Sequence, residues 1–197
     1  MFITFEGQDW SGKSTQAALL VESLRHDGRD VVPTREPGGT PIGESIRTLV
    51  LDGPEMTAWA EAALFAAARA EHVAAVIRPA LERGAAVVCD RYIDSSLAYQ
   101  GIARELGVER VLELNLAATH ALLPDRTFLV LVDPEVAFQR SSQSDRIERE
   151  GERFHRAVDE AYRSLAQMFP DRITPIDGNR TPDEIAEEIR GRLRELS

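Results

Sequence analysis

A single cysteine, Cys89, stands among 197 residues. No intrachain disulfide can form, no cysteine-based metal cluster is available, and a reducing compartment fits. Apolar runs of membrane-spanning length are also missing, and a strand-like segment beginning at Phe2 leaves no room for a targeting peptide. Cations are scarce: Lys and Arg total 23 against 33 Asp and Glu, a formal net charge of −10. Such a chain repels a nucleic-acid backbone or an anionic membrane over most of its face, so any phosphate it binds is held by a local pocket of donors. There is no internal repeat, low-complexity tract or linker, and 43% apolar with 28% charged residues is ordinary globular composition. These absences predict one cytoplasmic domain over residues 1–197, with neither nucleic acid nor membrane as a partner.

Strand and helix patterns alternate along the chain. Phe2–Glu6 is a β-branched and aromatic run ending in glycine, and Lys13 to about His26 is helical in pattern, with Leu19, Leu20, Val21 and Leu24 available to one face. Val31 and Val32 lead a second strand that stops at Pro33 or continues to Arg35. Beyond the turn at Pro37, Gly38 and Gly39, a helical pattern runs through Ile42, Ile46, Leu49 and Val50. Residues 55–81 are alanine-rich without Gly or Pro until Pro79, the longest helix candidate. Residues 85–89 and 127–132 are continuously apolar, as strands covered on both faces are, and residues 173–176 form a weaker fifth. Thr181, Pro182 and Glu184 open a last helix as a capping box, with Ile185, Ile189, Leu193 and Leu196 on its apolar face. Such alternation predicts an α/β fold with a parallel sheet flanked by helices.

The sequence GQDWSGKS, residues 7–14, matches G-x-x-x-x-G-K-[ST] between the first strand and the first helix. Glycines there let backbone N–H groups converge on phosphate oxygens, and the helix N-terminus adds positive potential. Lys13 is placed to bridge the β- and γ-phosphates and the Ser14 hydroxyl to ligate Mg²⁺. Gly7, Gln8, Asp9, Trp10, Ser11, Gly12, Lys13, Ser14 and Thr15 thus form a candidate ATP-phosphate site. Asp90 and Arg91 follow an apolar strand, at the carboxyl end of a parallel sheet where ligands bind. A carboxylate there can hold Mg²⁺ through water, and an arginine can hold a second phosphate bidentately.

With these residues in place, the chain resembles bacterial thymidylate kinases over nearly its full length. The matching blocks are FEG at 5–7 with the phosphate loop, TREPGGT at 34–40, Leu64–Phe65 to Arg69–Glu71, DRYIDSSLAYQG at 90–101 and DRIE at 145–148. The resemblance implies a P-loop kinase fold with a five-stranded parallel sheet in the order 2-3-1-4-5, a lid near residues 140–153, a homodimer, and transfer of the ATP γ-phosphate to dTMP with Mg²⁺. It further implies that Phe65 stacks on thymine and Arg69 donates to its O4. Ser96 and Gln100 lie near the base, Tyr99 against the sugar where its ring crowds a ribose 2′-OH, and Leu51 in the base pocket. Asp9 accepts from the deoxyribose 3′-OH, while Glu36, Arg47 and Arg91 surround the acceptor 5′-phosphate. Phe65 and Arg69 are i, i+4 on one helix, as are Ser96 with Gln100 and Ser95 with Tyr99, which predicts shared faces.

The acceptor phosphate has a second pKa of about 6, so it is already a nucleophile at neutral pH. No dedicated base is needed, and none of the four histidines is assigned chemistry. Catalysis then falls to Lys13, Asp9, Arg91, Mg²⁺ and arginines of the flap. The chain departs from the family in two places. Its phosphate loop carries no cation other than Lys13 and contains an unusual Trp10, and its flap between Arg140 and Asp145 is short and lacks basic residues. Arg146, with Arg140 as the alternative, is therefore expected to serve the migrating phosphoryl group. Arg146, Arg149, Arg153 and Arg156 are spaced as one helical stripe, which alternating glutamates also mark as a solvated face. Two competing readings stay open on the sequence: a kinase for another pyrimidine nucleoside monophosphate, and a nucleotide-binding regulatory protein with impaired catalysis.

Overall fold

In the computed structural model, residues 1–133, 136–137, 145–147 and 149–194 are described. Its centre is a parallel sheet in which β1 (Phe2–Glu6) pairs with β3 (Ala86–Asp90) on one side and β4 (Arg126–Leu131) on the other. β2 (Val31–Arg35) and β5 (Ile173–Asp177) close the edges, giving the order β2-β3-β1-β4-β5. That is the 2-3-1-4-5 order expected. Pro33 does not stop β2, because an edge strand tolerates an imino residue on its open side. The register sets Arg35 and Phe5 opposite Asp90, so the carboxyl ends of β1, β2 and β3 form one rim.

Helices cover both faces. α1 (Lys13–His26) and the last helix pack Leu20, Leu24, Ile185 and Ile189 onto Ile3, Phe5, Val88 and Val130. α2 (Pro41–Asp52) carries Arg47 and Leu51 toward the rim and packs on α3 (Ala58–His72). The long helix expected over 55–81 is not one α-helix. It starts after Thr57, whose hydroxyl caps the Ala60 N–H, and after His72 it widens into a π-helical turn, Val73–Ile77, before α4 (Arg78–Glu82). Pro79, which cannot donate, stands two residues beyond that widened turn, in the first turn of α4. α5 (Ile93–Ser96) likewise runs into a π-helical segment, Leu97–Ala103, followed by α6 (Val108–Thr119).

α7 (Glu152–Met168) begins only after Gly151. The single arginine stripe therefore breaks: Arg146 and Arg149 lie in turns closed by bonds such as Arg149 N–H to Asp145 O, and only Arg153 and Arg156 are helical. In α8 (Pro182–Arg194) the capping box forms as read, Thr181 N–H donating to Glu184 Oε2 at 3.0 Å. Leu196, Arg140 and residues 140–144 and 148 of the proposed lid at 140–153 fall outside the described residues. No described helix is long and apolar enough to cross a membrane.

Candidate active site

The loop between β1 and α1 is built around glycine. Gly7 has φ +139, and a Cβ there would lie 2.4 Å from Val130 O. Gly12 sits at the N-cap of α1 in the left-handed region and offers no side-chain cap, so the first N–H groups of the helix face outward for an anion. Trp10 holds φ +66 inside this loop, a conformation that costs a bulky residue on the order of 1–3 kcal/mol. Lys13 folds back over the loop, its ammonium donating to Gln8 O at 3.1 Å and to Asp9 Oδ1 at 3.5 Å. Burial and the nearby Arg91 charge lower its pKa.

Across the rim, Ser14 Oγ donates to Asp90 Oδ2, while Asp90 Oδ1 is buried without a partner among the described residues. One hydroxyl and one carboxylate oxygen with spare capacity are what a phosphate-bound Mg²⁺ takes from protein, the remaining ligands being phosphate and water. The donor set fits that ion. It does not fit a cage of protein ligands, since no cluster of three His, Cys, Asp or Glu occurs among the described residues.

Arg91 joins this cradle to a second hollow. Its Nη2 donates to Asp9 Oδ1 at 2.5 Å, and its Nη1 faces Gly7 O, Ser95 Oγ and Tyr162 OH at 3.0–3.1 Å. Burial alone would raise the pKa of Asp9, but the Arg91 and Lys13 charges hold it well below the usual carboxylate range. Beneath Arg91 lies Glu6, which accepts from Tyr92 N–H, Ser95 N–H, Ser95 Oγ and Tyr162 OH. Burial and the Asp94 charge push its pKa up to about 7.

The hollow itself is a cavity of about 100 Å³ between α2, α3 and the DRY segment. Asp9, Glu36, Arg47, Leu51, Phe65, Arg69, Arg91, Ser96, Tyr99 and Gln100 all line it. The i, i+4 pairing expected of Ser95–Tyr99 and Ser96–Gln100 is modified, because the π-helical segment begins at Leu97; the wider turn still brings all four to the cavity. Arg69 is 2% exposed and almost fully committed: Nε to Glu36 Oε2 at 2.7 Å, Nη1 to Ser96 Oγ and Asn115 Oδ1, Nη2 to the Tyr92 carbonyl. Glu36 is held from its other side by His72 Nδ1 at 2.9 Å. A carboxylate only accepts, so that ring nitrogen carries the hydrogen. Arg47 Nη1 donates to Pro37 O at 3.1 Å and remains half-buried at the mouth. Tyr99 OH donates weakly to Asp9 Oδ2 at 3.4 Å, and burial with the Asp9 charge keeps the phenol protonated.

Arg146 is placed differently from the sequence expectation. Its Nη2 pairs with Glu61 at 2.6 Å and its Nε donates to Val50 O at 2.8 Å, while Asp145 and Ile147, not Arg146, line the cavity. Serving a phosphoryl group requires those bonds to break first.

Glu6, Glu61, His72, Asn115 and Tyr162 were not read from the sequence. Two left a signal: Glu61 precedes Phe65 and Arg69 at i, i+4 and i+8 on one helix, and Glu6 is a charge inside an otherwise apolar strand.

Residues 5–189 match the family described as thymidylate kinase. The chain is 48% identical over 200 residues to the thymidylate kinase of Symbiobacterium thermophilum, with 100% of this chain and 94% of that protein covered. It is 51% identical over 198 residues to that of Leifsonia xyli subsp. xyli, with 98% and 94% covered. The crystal structure of thymidylate kinase from Ehrlichia chaffeensis superposes with a TM-score of 0.82 at 34% identity, covering 98% of each chain.

Proposed function

The chain belongs to the thymidylate kinase family and phosphorylates dTMP to dTDP with ATP, and from that premise we propose which of its residues do so. The observation that carries the assignment is that the nucleotide-facing residues line one cavity, which the Asp9–Arg91 pair joins to the phosphate loop. A dTMP with its base by Phe65, Arg69 and Gln100, and its phosphate toward Arg47 and Arg91, points that phosphate at the cradle. One of its oxygens attacks the γ-phosphorus; the bond from that phosphorus to the β–γ bridging oxygen breaks, and ADP leaves. Lys13 trades its loop contacts for the β- and γ-phosphates, and Arg91 neutralises charge on the migrating group. Mg²⁺, held through Ser14 and Asp90, supplies further neutralisation of phosphate oxygens when bound. Asp9 fixes Arg91 through Oδ1 and offers Oδ2, which the Tyr99 hydroxyl reaches only weakly at 3.4 Å, to the sugar hydroxyl.

Arg146, or Arg140 of the flap, remains the proposed further cation, reached after the Glu61 pair opens. The reading extends to a homodimer and a cytoplasmic location. Exposed Ile42, Leu49 and Trp59 on α2 and α3 offer a second copy an apolar surface, and sedimentation velocity returning a monomer would remove that part. The lone, buried Cys89 suits a reducing compartment.

Coupled ADP release with dTMP, dUMP, dCMP and dAMP tests the substrate: dTMP is expected to give the highest kcat/KM. Binding of dTMP and ATP without formation of dTDP would instead mark a regulatory protein. The sugar assignment has its own test. Tyr99→Gly is expected to raise the use of ribosyl relative to deoxyribosyl substrate, since it removes the ring beside Asp9. An unchanged ratio moves sugar discrimination elsewhere.

A further inference from the structure

Glu61 is a carboxylate buried under the base end of the cavity, its side chain 2% exposed. A buried charge persists only where donors surround it. Four from the described residues reach it: Gln100 Nε2 at 2.8 Å, Arg146 Nη2 at 2.6 Å, and Arg104 Nε and Nη2 at 3.3 Å. Burial alone would raise its pKa, yet the bonds from Arg146 and Gln100 and the Arg104 charge hold it below the usual carboxylate range. Glu61 is therefore ionised and can only accept.

That has a consequence for Gln100. An amide has a donor end and an acceptor end, related by a half-turn about its last torsion. An acceptor-only neighbour selects the NH₂ end, so Oε1 is the end left to the cavity that Gln100 lines. Thymine and uracil carry an N–H at N3; cytosine carries a lone pair there. A fixed carbonyl oxygen accepts from the first two and opposes the third.

We propose that Glu61 selects the pyrimidine by locking the Gln100 amide with its oxygen toward the base. It is a positioning residue, acting through Gln100, and the inference rests on the base placement given under Proposed function. The same carboxylate holds Arg146, whose backbone N–H also reaches Leu51 O at 2.8 Å, so the root of the flap and the reader of the base share one anchor.

The test compares kcat/KM for dTMP and dCMP in the full-length wild type, Glu61→Gln, Gln100→Leu and the double variant Glu61→Gln/Gln100→Glu. A glutamine at position 61 accepts or donates, so the Gln100 amide is free to turn; the preference for dTMP is expected to fall at least about tenfold, close to its level in Gln100→Leu. In the double variant a neutral amide donates to a carboxylate whose other oxygen can only accept, and the preference is expected to return. A loss of rate equal for both nucleotides in Glu61→Gln, with Gln100→Leu shifting the ratio, overturns the proposal and leaves Glu61 a clamp. If Gln100→Leu also leaves the ratio unchanged, the base does not lie beside Gln100, and the placement falls together with the inference. Thermal melts establish folding. Should Glu61→Gln not fold, the double variant, which keeps the single charge of the pair, still decides: a preference as relaxed as that of Gln100→Leu overturns the proposal.

Discussion

Arg91→Ala is expected to lower kcat on the order of 10³-fold, in the range set by arginines that meet a phosphoryl transition state. The guanidinium stands where cradle and cavity meet, one nitrogen on Asp9 and the other facing Gly7 O, Ser95 and Tyr162. Its backbone is held at φ +69, a conformation uncommon outside glycine that aims the fork across the rim. Losing it removes a charge from the migrating group and releases Asp9, which among the described residues then keeps only Lys13 as a cation. Arg91→Lys restores the charge but not the planar fork, since an ammonium cannot span these acceptors in the same geometry. It is expected to recover only a minor part of the rate. Steady-state kcat at saturating ATP and dTMP checks both variants; a kcat within tenfold of wild type in Arg91→Ala removes Arg91 from the transition state.

The second large effect is on stability. Arg69→Ala is expected to cost about 3–5 kcal/mol, the usual loss when one member of a buried ion pair is deleted. In a chain of this size that corresponds to a fall in Tm of roughly 6–20 °C. Among the described residues Glu36 would keep His72 alone, and Asn115, Ser96 and the Tyr92 carbonyl would each lose a donor. From the sequence, Arg69 is a reader of thymine O4 whose loss costs about 1–3 kcal/mol in substrate preference. Its burial adds a larger structural cost, so kinetics on Arg69→Ala are informative only below its melting range. Differential scanning calorimetry checks the figure; a Tm within a degree of wild type means that the surrounding groups find other partners.

What could be read in advance was local. The central strands announced themselves as continuous apolar runs, the phosphate loop by its glycines and Lys13, and the last helix by its capping box. The residues proposed to face the nucleotide came from the resemblance, and the fold gathers them around one cavity. Unread were contacts between distant parts of the chain. Arg69 with Glu36, His72 with Glu36, and Arg146 with Glu61 are separated by 33, 36 and 85 residues, and no spacing rule encodes such pairs. The arginine stripe failed for a related reason: its spacing fits a helix, but Gly151 and the turns before it delay α7 to Glu152. The π-helical turns escaped because periodicity over a few residues does not separate a widened turn from an ordinary one.

One of those turns bears on how this chain tolerates change in length. Leu97–Ala103 holds an extra residue in its coil compared with an α-helical path. Deleting a single residue there returns the coil toward an α-helical path, which keeps the flanking elements in register but changes the angular placement of Tyr99 and Gln100 inside the segment, and with it how they face the cavity. Gly28 and Gly84 pose a different constraint, since each holds a positive φ in a turn that closes a helix end, with Arg29 N–H reaching Leu24 O and Ala85 N–H reaching Ala80 O. At Leu97–Ala103, then, the shape of the cavity depends on how many residues the coil contains as well as on which residues they are.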